Sequence, residues 1–189
     1  MPEARHSATR PHKPLTVIGL GNEYLSDDGA GIGVLREVRR RLGEGAAVFE
    51  ELSIGGLPLL DYIVGFDRCV IIDAVVSGEH PPGTLYRFVR TPESAPVRLS
   101  SSHQVDLSQL LQLAQMMGAS LPQTLMVYGV EAEDVTMFRE RCTGSVAAAL
   151  PILADLICED LRSGGLAGVA PGSWQVIQSM QESSTVEHS

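Results

Sequence analysis

Three residues of this chain combine the side-chain types and settings needed to hold a divalent ion. Asp28 follows Gly19-Leu20-Gly21-Asn22 and stands where a helix is expected to begin. Asp73 ends the apolar run Val70-Ile71-Ile72. His103 lies in the polar segment Ser100-Ser101-Ser102-His103-Gln104, just ahead of a second expected helix. Two carboxylates and one imidazole form an oxygen, oxygen, nitrogen donor set. Such a set suits a borderline ion such as Zn²⁺ or Ni²⁺ and leaves positions open for water or substrate. Each residue also has a plainer use. Ser26 or Asp27 would cap the helix, and Asp28 would favour its positive end. Asp73 would accept hydrogen bonds from loop amides, because an unpaired buried charge is strongly disfavoured. His103 would simply be solvated.

Other chemistries find no support. Gly19-Leu20-Gly21 is followed by Asn22-Glu23-Tyr24, which is neither a dinucleotide fingerprint nor a phosphate-binding loop. No Gly-x-Ser-x-Gly elbow is present. The three cysteines, Cys69, Cys142 and Cys158, are widely spaced and form no Cys-x-x-Cys pair. They read as small buried hydrophobes in a reducing compartment rather than as a disulfide framework or a cysteine zinc site. His80, beside Pro81-Pro82, reads as part of a turn.

The candidate residues need elements to position them. Leu15-Thr16-Val17-Ile18-Gly19-Leu20 is a short apolar run and reads as a buried strand. Ile32, Leu35, Val38 and Leu42 recur at helical spacing, with Arg36, Arg39, Arg40 and Arg41 off that stripe. Residues 46–52 form a second strand and 57–64 a short helix after Gly55-Gly56. The clearest strand is 69–75, interrupted only by Asp73. Residues 83–89 form a strand entered from Pro81-Pro82-Gly83, followed by a helix over 105–117 and a strand over 124–130. Residues 143–161 form a long helix in which Pro151 should produce a kink or start a new first turn. Strands that alternate with helices, some apolar throughout, imply an α/β layered domain with a largely parallel sheet. Asp28, Asp73 and His103 would then all lie on strand-to-helix connections, at the edge where such sheets bind ligands.

Length and charge bound the function. The 189 residues suit one domain, here 15–162, with tails at 1–14 and 163–189 and one docking turn near 174–177. The formal net charge of −9 argues against nucleic-acid binding through a broadly basic surface. A hydrophobic fraction of 44% can fill a core, which the 5% aromatic content makes largely aliphatic. No apolar run reaches the ~18 residues of a membrane span. With no secretory pattern near the start, a cytoplasmic location is expected.

The ordered motifs resemble those of the nickel-iron hydrogenase maturation endopeptidases. They are Gly19-Leu20-Gly21-Asn22 with Asp27-Asp28-Gly29, then Gly55-Gly56, Ile72-Asp73-Ala74 with Pro82-Gly83-Thr84, Ser102-His103-Gln104 and Gly129-Val130-Glu131. Together they span about residues 15 to 160, and their order is more specific than any one of them. The resemblance implies a three-layer α/β fold of the phosphorylase/hydrolase-like kind, with a twisted, mainly parallel sheet between helices. It implies removal of a short C-terminal extension from the hydrogenase large-subunit precursor after nickel insertion. Carried over by motif, the catalytic, metal-contacting triad is Asp28, Asp73 and His103. Some family members have Glu where Asp28 stands. The nickel is then expected to arrive with the precursor, with no organic cofactor. Gly55 and Gly56, with Asn22 and Asp27 in the first loop, are candidate contacts for the substrate tail. Either the ion activates the attacking water or the triad only docks the nickel site while Asp27 or Asp28 acts as base.

Two other readings compete. Gly-Leu-Gly-Asn also resembles the start of peptidyl-tRNA hydrolase, but the histidine of that family is missing here and the acidic charge disfavours tRNA. A nickel-dependent docking or chaperone factor would use the same three residues without hydrolysis. A merely structural α/β domain would use none of them.

Overall fold

The apolar runs fold as strands of one sheet, and the amphipathic segments cover it on both faces. This computed structural model describes residues 13–53, 56–90, 107–163, 171–172 and 174–178. The strands are β1 (Lys13–Leu20), β2 (Val48–Leu52), β3 (Phe66–Val75), β4 (Leu85–Arg90), β5 (Thr124–Glu131) and β6 (Trp174–Gln178). The helices are α1 (Ala30–Leu42), the short α2 (Leu60–Ile63), α3 (Leu107–Met116) and α4 (Gly144–Arg162). Strand order is β2-β1-β3-β5-β4-β6. The first four strands in that order are mutually parallel, while β4 runs antiparallel to both neighbours.

Alternation along each strand divides the core in two. Val17, Val70 and Ile72 pack with α1 and α4, whereas Ile18, Cys69 and Ile71 pack with α2 and α3. Both faces are therefore covered, which is why β1 and β3 read as continuous apolar runs. Ile71 and Ile72 are each fully buried, and each contributes about 1.5–3 kcal/mol of hydrophobic stabilisation. On α1 the stripe Ile32, Leu35 and Val38 is buried, while Arg36 reaches outward to Glu23 and Glu51.

Three details depart from the sequence expectation. Helix α4 runs through Pro151 as one element, with no new first turn. Neither Ser26 nor Asp27 caps α1; a 3₁₀ turn over Ser26–Gly29 precedes the helix, whose N-cap is Gly29 without a side-chain bond. The docking turn expected near 174–177 is instead the edge strand β6, paired with β4 from Leu85 to Phe88. Trp174 packs there against Phe88 and Tyr86, with ring centroids 5.4 and 6.2 Å away. Among the described residues, no helix is long and apolar enough to cross a membrane.

The chain leaves β1 for β2 on one side and returns to β3 on the other. Strand order therefore reverses between β1 and β3, which places a ligand crevice beyond their carboxyl ends. The first turn of α1 closes directly onto those ends. A Cβ built on Gly31 would stand 2.3 Å from the Leu20 carbonyl oxygen and 2.4 Å from that of Ile72.

Gly31→Ala must therefore push α1 off the sheet, an overpacking cost of about 3 kcal/mol. Gly33→Ala, whose nearest new neighbour is Leu150 Cδ1 at 3.4 Å, should instead gain up to about 1 kcal/mol of helix propensity. Thermal unfolding of the two variants checks this. Gly31→Ala should melt roughly 6–12 °C lower than the parent chain. Equal melting temperatures would refute the close approach.

Candidate active site

Asp28 is brought to the sheet by a tightly folded first loop. Gly21, at φ +143°, donates its amide to the Leu52 carbonyl at 3.0 Å. A side chain at Gly21 would put its Cβ 1.9 Å from the Asp28 carbonyl oxygen, so the chain returns on itself there. Leu25 N–H donates to Asn22 O at 3.0 Å, and Asp28 N–H to Leu25 O at 3.1 Å. The Asn22 amide then donates to Asp28 Oδ2 at 2.8 Å and fixes the carboxylate. Asp28 is buried, in a turn that packs against β3.

Asp73 lies near the carboxyl end of β3, opposite Gly129 of β5. It is also buried, and its Oδ1 accepts the Ala74 amide at 2.8 Å. By strand alternation it shares its face with Cys69 and Ile71, the face covered by α2 and α3. Asn22, Asp28 and Asp73 thus reach the same sheet edge, at the reversal of strand order. Gly56, at φ +73°, is the N-cap of a turn over Leu57–Leu59 after β2. His103 and Gly55 lie outside the described residues. Among the described residues, no group of three His, Cys, Asp or Glu side chains is placed to hold a metal.

Asp27 is bonded to a different part of the chain. Its Oδ2 accepts the amides of Glu133 and Asp134, each at 3.0 Å, and the Thr143 hydroxyl at 2.9 Å. Its Oδ1 accepts the Thr143 amide at 2.6 Å. Thr143 is the N-cap of α4, so Asp27 ties the first loop to the β5–α4 connection. The neighbouring Ser26 has φ +51°, a left-handed conformation that costs a non-glycine residue about 1–2 kcal/mol. That conformation is held by Ser26 N–H donating to Arg139 O at 2.7 Å and by Arg139 Nη2 donating to Ser26 Oγ at 3.0 Å.

Glu131 is a further buried carboxylate, which the sequence reading noticed only as part of Gly129-Val130-Glu131. It accepts the amides of Ser77 at 2.9 Å and Gly78 at 2.8 Å, and the hydroxyls of Ser77 and Tyr86, each at 2.6 Å. Burial and then the bond to Glu131 push the Tyr86 hydroxyl up to about 12, so it stays a donor. A charge closing an apolar strand was its sequence signal. Glu131 braces the β3–β4 connection as Asp27 braces the β5–α4 connection.

None of the three thiols is activated. Cys142, whose Sγ–H donates to Ser26 O at 3.7 Å, is pushed up to about 11 by burial and then by the charge of Asp27. Burial likewise raises Cys69 and Cys158.

Known proteins share this fold and sequence pattern. The model of the hydrogenase maturation protease family matches residues 51–160. The hydrogenase expression/formation protein HupD of Thiocapsa roseopersicina is 30% identical over 158 residues, covering 77% of this chain and 70% of that protein. The hydrogenase 2 maturation protease of Escherichia coli K12 is 25% identical over 160 residues, covering 82% of this chain and 94% of that protein. The solved structure of the hydrogenase maturating endopeptidase HybD from E. coli superposes with a TM-score of 0.65 at 26% identity, covering 80% of this chain and 94% of that one. With its three-layer α/β fold and a family match across more than half its length, this chain belongs to the hydrogenase maturation proteases and is a peptidase.

Proposed function

We propose that this peptidase removes a C-terminal extension from the large-subunit precursor of a nickel-iron hydrogenase after nickel has been inserted. The observation that carries this reading is the pair of buried carboxylates, Asp28 and Asp73, at the strand-order reversal of a hydrogenase maturation protease. Nickel belongs to the substrate here and is held by the precursor's own ligands. Asp28, Asp73 and His103 dock that nickel site with two oxygen donors and one nitrogen donor, a set suited to the ion. The amides of Asn22 and Ala74 hold the two carboxylates before substrate arrives, so little reorganisation is left for the reaction. A water adds to the scissile carbonyl, the C–N bond breaks, and the proton passes to the departing amine. Asn22, Asp27, Gly55 and Gly56 belong to the loops that receive the substrate tail. Asp27 acts there through the loop it braces.

Intact masses test the reading. Purified protein is mixed with nickel-loaded and nickel-free precursor. The loaded form alone should lose a C-terminal peptide, and His103→Ala, Asp28→Asn or Asp73→Asn should each slow that loss at least 100-fold. Cleavage of both forms at equal rates would remove the role of nickel. A stable complex with no change in mass would replace the protease by a docking factor.

A water mechanism also predicts insensitivity to thiol reagents. A thiol whose pKa is raised stays protonated until the pH approaches that value. At pH 8, Cys142 near 11 is about one-thousandth thiolate, against roughly a quarter for a free cysteine near 8.5. Iodoacetamide should therefore alkylate Cys142 about 100-fold more slowly than free cysteine and leave processing intact. Rapid alkylation of Cys142 with loss of processing and an unchanged fold would sink the mechanism.

A further inference from the structure

Each of the four parallel strands is followed, at the site edge, by a connection that shows a large apolar side chain to water. Tyr24 follows β1, Leu57 follows β2, Val76 follows β3 and Phe138 follows β5; they are 48%, 59%, 49% and 79% exposed. Single exposed hydrophobes are ordinary on protein surfaces. Two of these are not single. The rings of Tyr24 and Phe138 stack, with centroids 6.1 Å apart and planes 9° from parallel.

The backbone beneath that pair is fixed from both sides. Arg139 N–H donates to Tyr24 O at 2.9 Å, Ser26 N–H donates to Arg139 O at 2.7 Å, and Leu25 and Arg139 pair as a parallel bridge. The Tyr24 amide donates to Asn22 Oδ1 at 3.1 Å, and Asn22 is the residue whose own amide holds Asp28. Tyr24 of the loop that carries Asp28 is thus held against Phe138 of the β5–α4 connection, and the pair is largely open to water. Most of the Phe138 surface stays in water, so the fold gains little from it. A partner gains more, because a preordered aromatic pair offers a large contact area at small entropic cost.

We propose that Tyr24 and Phe138, with Leu57 and Val76 on the same edge, grip an apolar segment of the protein substrate next to the scissile bond. The proposal rests on the protease reading of the Asp28–Asp73 site. The occupant is the substrate polypeptide because the pair is continuous with the Asn22–Asp28 loop, and whatever sits on it lies beside that site. The connection of Phe138 sets Glu133, Asp134 and Glu140 against Arg139 and Arg141, so it presents no basic cluster of the kind an anionic membrane surface attracts.

The test compares Tyr24→Ala, Phe138→Ala and the double variant with the parent chain. Thermal melting confirms the fold, since exposed side chains shift stability by only about 0.5 kcal/mol. Processing of nickel-loaded precursor is followed kinetically, and its binding by calorimetry. The double variant should raise KM and Kd about tenfold with kcat within twofold, and Phe138→Trp should bind like the parent. Unchanged KM and Kd would overturn the grip while leaving the protease intact. A fall in kcat at constant KM would overturn it too, because it would mean that the loop had shifted. If the parent chain binds precursor without cutting it, the protease reading fails, and Kd alone then decides the grip. A concentration-dependent dimer that Phe138→Ala dissolves would give the pair to a second copy and overturn the proposal.

Discussion

The absence of a side chain at two glycines sets where everything else at the site can stand. At Gly31 the first turn of α1 rests on the carbonyl oxygens of Leu20, which ends β1, and of Ile72 in β3, at distances no Cβ could occupy. At Gly21 the loop leaving β1 passes against the backbone of Asp28. These two approaches fold the 3₁₀ turn over Ser26–Gly29 down onto β3. Were α1 to stand off by one layer of side chains, the turn would rise with it. Asp28 would then leave the edge that carries Asp73. The geometry of the carboxylates is therefore a consequence of backbone packing, and only secondarily of their own bonds.

Adjacent carboxylates do different work within this frame. Asp27 meets four donors from the β5–α4 connection, and Glu131 meets four donors from the loop after β3 and from Tyr86. Four charge-assisted bonds offset the loss of hydration that a buried carboxylate suffers. Removing either carboxylate would leave several partly buried amides without an acceptor, the costly half of the hydrogen-bond asymmetry. They fix the loops. Asp28 and Asp73 take their orientation from the amides of residues close in sequence, Asn22 and Ala74. Among the contacts of the described residues, bracing by distant loops falls to Asp27 and Glu131, and local amides aim Asp28 and Asp73.

That separation explains what could be read from the sequence. β1 and β3 were legible because both faces are buried, so their residue types carry the signal without knowledge of partners. Asp73 was legible because a charge at the end of an apolar run breaks the local pattern, and Asp28 because it stands between the glycine turn after β1 and the start of α1. The role of Asp27 was hidden because its partners lie 106 to 116 residues away, and no local pattern encodes them. Glu131 was half hidden for the same reason, with partners 45 to 54 residues distant. β6 was missed as a strand because its ladder to β4 and the contacts of Trp174 with Tyr86 and Phe88 arise only in the folded sheet. His103 was singled out by its polar setting ahead of a helix and by the Ser102-His103-Gln104 motif, and it lies outside the described residues.

The same division bears on how such a site would choose its substrate. Two carboxylates gathered at one sheet edge before substrate arrives favour an incoming cation over a neutral peptide. In the proposed reaction the precursor brings that cation itself, so a chain without nickel lacks the group the edge is arranged to receive. The rim supplies the second condition. Its aromatic pair is neutral and can hold an apolar segment regardless of charge, but it offers nothing to the metal. Neither feature identifies the substrate alone: a free ion would miss the rim, and an unloaded chain would miss the carboxylates. One member of each, Asp28 and Tyr24, sits on the loop between Gly21 and Gly29, which the close approaches at Gly21 and Gly31 fold onto the sheet, so selectivity would depend on the rigidity of that loop.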